Sequence, residues 1–186
     1  MLCSFKGIHP EVEEGVFVAP GAWLIGQVKV KSGGSVWFNA VLRGDANAIE
    51  VGRETNIQDN SILHPDDQHP VILGNQVTIG HGCILHGCLI RDGAVVGMGS
   101  VVLSGAEIGE EAVIAAGALV TDKVRIPRRS LAVGRPAKVI RTLTEDELDK
   151  YRVMYVIYRE RAKVYMRELS ARLPGEVACA CRLTWQ

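Results

Sequence analysis

The residues best suited to chemistry lie in two runs, Asn56-Ile57-Gln58-Asp59-Asn60-Ser61-Ile62-Leu63-His64 and Ile79-Gly80-His81-Gly82-Cys83-Ile84-Leu85-His86-Gly87-Cys88. Together they offer three imidazoles, His64, His81 and His86. Three neutral imidazoles form a ligand set that holds a zinc-like ion and leaves a fourth position open to water. A lone histidine is ordinarily a solvated surface residue, and His9 and His69 are read that way. What sets the other three apart is their register.

That register rests on a period of six. Placing the aliphatic residue first gives Val18, Leu24, Val30, Val36 and Leu42, then Val51, Ile57 and Leu63, then Leu73, Ile79 and Leu85; the series resumes at Ile90, Val96, Val102, Ile108, Ile114 and Val120. The fifth place is often small or β-branched, as at Ala22, Val28, Ala40, Ser61, Val77, Cys83, Ala94, Ser100, Ala106 and Ala112. Such spacing predicts a parallel β-helix, three hexads closing one triangular coil and each coil satisfying its neighbours' backbone groups. A β-sandwich would instead show a stricter period of two. Glycines after the aliphatic residue, at Gly80, Gly97 and Gly109, are expected to ease bends between flat faces. Residues 45–50 and 64–70 break the period and are expected to bulge out as loops, where function tends to sit. The five-residue step from Leu85 to Ile90 is a third irregularity.

His64 and His86 each follow an aliphatic residue, and the 22-residue step between them is one coil plus a short insertion. This stacks them about 4.8 Å apart, with Arg43 one coil earlier in the same column. His81 lies one hexad before His86, on another face, and five extended residues span roughly 16 Å. It cannot join its own chain's pair. Copies packed around a threefold axis would bring the His64–His86 edge of one chain to the His81 edge of the next. The expectation is a homotrimer with a metal ion at each interface.

The elements that carry this site are limited in kind. Twenty-one basic residues balance twenty-one acidic ones, so no global field favours nucleic acid or an anionic membrane, and neither partner is expected. The first residues lack a signal-peptide pattern and no long apolar run occurs, which predicts a cytoplasmic protein. Five cysteines make an odd number, so free thiols are expected, with Cys179 and Cys181 in a loose tail. The repeat stops after Val133-Gly134-Arg135-Pro136-Ala137-Lys138, and Thr144-Glu145-Asp146-Glu147 has the outline of a capping box. Residues 145–172 read as one amphipathic helix with the stripe Leu148, Tyr151, Tyr155, Tyr158, Ala162 and Tyr165. The predicted organisation is a β-helix over 1–142, a helical segment packed on it over 143–173, and a tail over 174–186.

The motifs Arg43-Gly44-Asp45, Asn56-Ile57-Gln58-Asp59, Leu63-His64, Gly80-His81-Gly82, Leu85-His86-Gly87-Cys88, Val96-Gly97-Met98-Gly99 and Gly134-x-Pro136-Ala137-Lys138 together resemble the gamma-class carbonic anhydrase family of hexapeptide-repeat proteins. The resemblance implies a left-handed β-helix, a homotrimer, and zinc (or iron or cobalt) held between subunits by His64, His81 and His86. It implies that Gln58 hydrogen-bonds metal-bound water, that Arg43 and Asp45 form an ion pair linking subunits near the site, and that Asp59 joins that polar network. It also suggests that Tyr158, or else Tyr155, reaches the site from the helix, although stripe spacing favours plain packing for both. Bound to three imidazoles, water ionises near neutrality, and the resulting hydroxide can attack carbon dioxide to give bicarbonate. Carbonic anhydrase is the reference case for that effect.

The sequence departs from the family in one respect that bears on rate. A glutamate expected directly after Arg-Gly-Asp is Ala46, leaving Asp66 and Asp67 as substitute proton carriers, so slow turnover is expected. Three rival functions use the same scaffold: hydrolysis of an acyl-CoA thioester, acyl transfer with a single histidine base, and non-catalytic metal binding.

Overall fold

A computed structural model describes residues 1–172, with side chains through residue 169. The expected tail, including Cys179 and Cys181, lies outside the described residues. The chain winds as a parallel β-helix built mostly of two- and three-residue strands, closed by a helix over Glu145–Arg172. The hexapeptide period is the cause. Each first-place aliphatic from Leu24 to Val120 points inward and is buried, while Val18, at the open end, is only partly covered. The fifth-place residues, Ala22 through Ala112, are buried as well, because only small or compact groups fit beside the aliphatic ladder of so narrow a tube.

The strands form two sheets that wrap three faces. An 8-stranded sheet stacks Phe17–Val18, Ser35–Val36, Asn56–Ile57, Thr78–Ile79, Val95–Val96 and Val113–Ile114, and ends in Ser130–Val133 paired antiparallel with Lys138–Thr142. A 12-stranded sheet covers the other two faces, since the long strands Trp23–Val30 and Val41–Val51 run through the corner between them. Those strands overturn one expectation. Residues 45–50 do not leave the sheet as a loop. Instead Asp45, Ala46, Asn47 and Ala48 stand opposite the single Gln27, an in-strand bulge flanked by the pairs Gly26↔Gly44 and Val28↔Ile49.

The glycine expectation also needs correction. Gly97 and Gly109 do not lie in the left-handed backbone region. A Cβ on Gly97 would stand 2.5 Å from Ala116 N, and one on Gly109 would stand 2.5 Å from Arg128 N. Glycine is required there because successive coils approach too closely for any side chain.

The helix folds back along the 8-stranded sheet. Its capping box closes reciprocally, the Thr144 N–H donating to Glu147 Oε2 (3.0 Å) and the Glu147 N–H to Thr144 Oγ1 (3.3 Å). Leu148, Tyr151 and Met154 pack on Val95, Val113 and Leu131. Two turns and more further on, Tyr158, Ala162, Met166 and Leu169 pack on Phe17, Ala19, Trp37 and Phe38. Tyr165, counted in the buried stripe, is 39% exposed. Arg152 and Arg129 both grip Glu111, at 2.6 and 2.7 Å, and Arg159 pairs with Glu54, so polar clasps flank the apolar seam. Among the described residues, no helix is long and apolar enough to cross a membrane, and Cys3, Cys83 and Cys88 are free thiols.

Candidate metal centre

His64 and His86 end the strands Ile62–His64 and Ile84–His86 and are directly paired across them. The inserted loop after His64 adds residues without disturbing the stack. His64 Nδ1 faces His86 Nε2 at 3.2 Å. Two nitrogens each about 2.0–2.1 Å from one tetrahedral zinc stand about 3.3 Å apart, so this spacing suits two ligands of a single ion. The outer nitrogens have partners of their own: His64 Nε2 lies 3.0 Å from Asp45 Oδ1, and His86 Nδ1 lies 2.9 Å from Ser104 Oγ.

Arg43 donates to Asp45 Oδ2 at 2.6 Å within the same chain. Burial resists ionisation of Asp45, but the hydrogen bonds from Arg43 and His64 outweigh it and hold the carboxyl below its usual range. An ionised Asp45 accepts only, so it fixes His64 as the Nε2–H tautomer. The Nδ1 lone pair is then bare and aimed at His86.

His81 follows Thr78–Ile79 on the 8-stranded sheet, hence on a different face. Asn56 pairs with Thr78 and Ile57 with Ile79, which stacks Asp59 on His81 and brings Asp59 Oδ2 within 2.7 Å of His81 Nδ1. The Nε2 lone pair is thereby turned outward, 3.3 Å from the Tyr158 hydroxyl. Tyr158 is held by an edge-on contact with Trp37, ring centroids 5.2 Å apart. Burial raises its pKa, so it is a neutral phenol. Trp37, Phe38, Asp59, His81, Tyr158, Arg161 and Tyr165 line a cleft of about 400 Å³. Gln58, one place before Asp59, is buried, and its amide donates to Asn56 Oδ1 at 3.1 Å. Asn56 in turn donates to Thr78 Oγ1 at 2.9 Å. Tyr155 borders a separate cleft beside Asp92 and Arg152.

One chain therefore brings together Arg43, Asp45, His64 and His86 at one edge, and Gln58, Asp59, His81 and Tyr158 at another. Among the described residues of a single chain, no group of three or more His, Cys, Asp or Glu side chains could hold a metal ion. Of three residues with clear roles at the first edge, Ser104 went unseen in the sequence, and Asp66 and His69 have roles other than those expected. Ser104 meets His86, and Asp66 anchors the turn after His64 by accepting from the Gln68 N–H (2.8 Å), the His69 N–H (2.8 Å) and His69 Nδ1 (3.0 Å). His69 is thus a half-buried structural residue rather than a free surface one. Asp66 is no substitute proton carrier either. Hydrogen bonds from Ser104, then from the Gln68 and His69 amides, hold it far below the usual carboxylate range despite burial.

Known proteins resemble this chain over most of its length. Residues 87–122 match the family described as bacterial transferase hexapeptide (six repeats). A carbonic anhydrase of Geobacillus kaustophilus is 43% identical over 165 residues, covering 89% of this chain and 91% of that protein. The chain belongs to the gamma carbonic anhydrase-like hexapeptide-repeat family. Within it, the mitochondrial gamma carbonic anhydrase 1 of Arabidopsis thaliana is 44% identical over 145 residues; the match spans 75% of this chain and only 53% of that protein. Among solved structures, a hexapeptide transferase family protein from Anaplasma phagocytophilum superposes with a TM-score of 0.85 at 40% identity, covering 88% of this chain and 97% of that one. Family members thus carry names from both lyase and transferase chemistry, and only the site can decide between them.

Proposed function

We propose that this protein is a metal-dependent, cytoplasmic gamma-class carbonic anhydrase that hydrates carbon dioxide to bicarbonate as a homotrimer. In this reading His64 and His86 of one protomer and His81 of the next hold one zinc ion, a site that iron or cobalt also suits. The observation that carries it is the 3.2 Å approach of His64 Nδ1 to His86 Nε2, with the outer nitrogens already engaged by Asp45 and Ser104. A pair of nitrogens at that distance shares either a proton or a metal cation, and the spacing is that of two ligands of one zinc ion.

The trimer has its own support. Trp23, Ile62 and Ile84 are 37%, 43% and 42% exposed, and they belong to one outward column, Trp23–Val41–Ile62–Ile84–Val101–Leu119. Ile62 and Ile84 point to the same side as His64 and His86, two residues on. An apolar stripe of that kind calls for a covering partner. A second copy seated there would supply His81, whose Nε2 faces outward.

When bound, zinc lowers the pKa of its water to about 7 and so supplies a hydroxide nucleophile at neutral pH. The chain's own residues set the geometry. Asp45 and Asp59 fix the tautomers of His64 and His81, and Arg43 keeps Asp45 ionised. Gln58, steadied by Asn56, offers its amide to substrate, and Tyr158 caps His81 against stray solvent. Proton export is the weak step, because Ala46 carries no acid and Asp66 is locked into its turn. Turnover is accordingly slow.

The test is metal analysis of the purified protein together with stopped-flow carbon dioxide hydration. About one ion per chain and hydration abolished by His81→Ala support the reading. A metal-free, fully active protein, or an active His81→Ala variant, would sink it. One feature favours a second reading, hydrolysis of an acyl thioester by the same centre: the cleft beside His81 is far larger than carbon dioxide needs. A panel of acyl-CoA substrates in the same assay separates the two.

A further inference from the structure

Asp45 accounts for the bare nitrogen of His64, and that of His86 needs a partner of its own. The turn that follows the next coil supplies it. Leu85 pairs with Val102, and Ser104 sits two residues beyond Val102, where the chain turns and its hydroxyl can come down onto the imidazole below. Ser104 Oγ lies 2.9 Å from His86 Nδ1. The same hydroxyl donates to the Asp66 carboxylate.

A serine hydroxyl has one proton. Asp66 already accepts from three N–H groups, those of Gln68 N, His69 N and His69 Nδ1, and is an acceptor toward Ser104 as well. The Ser104 proton is therefore committed to Asp66. Towards His86, Ser104 can only accept. For the neutral ring that leaves one arrangement: Nδ1 carries the proton and Nε2 presents a lone pair to His64 Nδ1.

The seat of this device is closely built. A Cβ on Gly87 would lie 3.0 Å from Asp66 Oδ2 and 3.0 Å from His69 Cβ, at a φ of +52° that itself favours glycine. One on Gly105 would lie 3.3 Å from His69 Nε2. Glycines on both sides thus let the loop after His64 press against the turn holding Ser104. The five-residue step that shortens this coil places Gly87 there. The inserted loop and the shortened coil, two separate breaks in the repeat, meet at one hydrogen-bonded chain.

We propose that Ser104, held by Asp66, is a positioning residue that fixes His86 as the Nδ1–H tautomer and so presents Nε2 to the metal. The inference rests on the metal-centre reading above for its consequence, though not for the tautomer itself. Loss of such a partner lowers metal affinity about 10- to 100-fold.

Two measurements test it. In histidine-selective ¹⁵N spectra of the purified protein, His86 is expected as Nδ1–H; a parent spectrum showing Nε2–H overturns the proposal whether or not any variant folds. In competition titrations with zinc, Ser104→Ala is expected to bind about 10- to 100-fold more weakly than the parent, with trimer mass and the metal-free thermal midpoint unchanged, and Ser104→Thr to recover the affinity. Equal affinity in Ser104→Ala overturns it. A parent that binds no zinc yet shows the Nδ1–H form, lost in Ser104→Ala, upholds the positioning role and removes the metal function instead.

Discussion

His64 Nδ1 and His86 Nε2 oppose each other at 3.2 Å on adjacent strands of one face, while His81 stands on another face with its Nδ1 bound to Asp59. A half-site at each of two edges is what a shared, intersubunit centre requires.

Complementation follows from that division. His64→Ala and His81→Ala proteins are each expected to be inactive and metal-poor. Mixed trimers, refolded or co-expressed from the two, regain a single intact centre, because one interface in each then pairs an unmutated His64 with an unmutated His81. Activity and zinc content of the mixture, set against either parent alone, are the measurement; no recovery would contradict a shared site.

Metal removal should be visible in stability. A ligand that binds only the folded protein stabilises it by about 2.7 kcal/mol at a hundredfold excess over its Kd. For a domain of this size that corresponds to about 5–10 °C in thermal midpoint. Adding a chelator should lower the midpoint by that amount and zinc should restore it. His64→Ala should start low and respond to neither.

The clasps on the helix predict an acid response of defined sign. Burial opposes ionisation of Glu111, but hydrogen bonds from Arg152 and Arg129 prevail and lower its pKa; Glu147, hydrogen-bonded to Arg141 and then to the Thr144 N–H, is lowered from 4.5 to about 2. Folded values below the unfolded ones mean that these contacts contribute fully above about pH 4.5 and fade as pH falls towards 2. Helix undocking, followed by Trp37 fluorescence, should therefore begin below the ordinary carboxylate range. Glu111→Gln should cost about 1–3 kcal/mol, removing an acceptor that two guanidiniums share.

Proton export offers a gain-of-function test. Ala46 is exposed and adjacent to Asp45, which touches His64. Ala46→Glu should raise turnover about tenfold or more at low buffer concentration, the lower end of what a positioned acid-base group contributes. At high buffer the advantage should vanish. A variant equal to the parent in both conditions would show that export does not limit the rate.

The scaffold was readable from sequence because a coil is set by a local rule. Each hexad aliphatic from Leu24 to Val120 is buried, and counting coils was enough to stack His64 on His86. What escaped the count depends on contacts between irregular segments. Counting eighteen residues per coil would set Ser104 directly over His86, but this coil is one residue short, so Leu103 takes that place and Ser104 reaches His86 from the turn just beyond it. Asp66 and His69 owe their roles to a loop whose path no periodicity encodes. The bulge at Asp45–Ala48 looked like a loop because the period broke, yet its backbone still finds ladder partners on either side. Gly97 and Gly109 were visible as glycines, but close approach leaves no mark in sequence that distinguishes it from a need to bend.

The return path of the helix has a consequence for how the molecule is made. Phe17 and Trp37 find their cover in Tyr158, Ala162 and Met166, which follow them in the chain by more than a hundred residues. Early coils must wait, with an aromatic flank bare, until the helix has been made and has docked. Tyr158 arrives beside His81 in the same closing movement, so that edge is completed only when the helix docks.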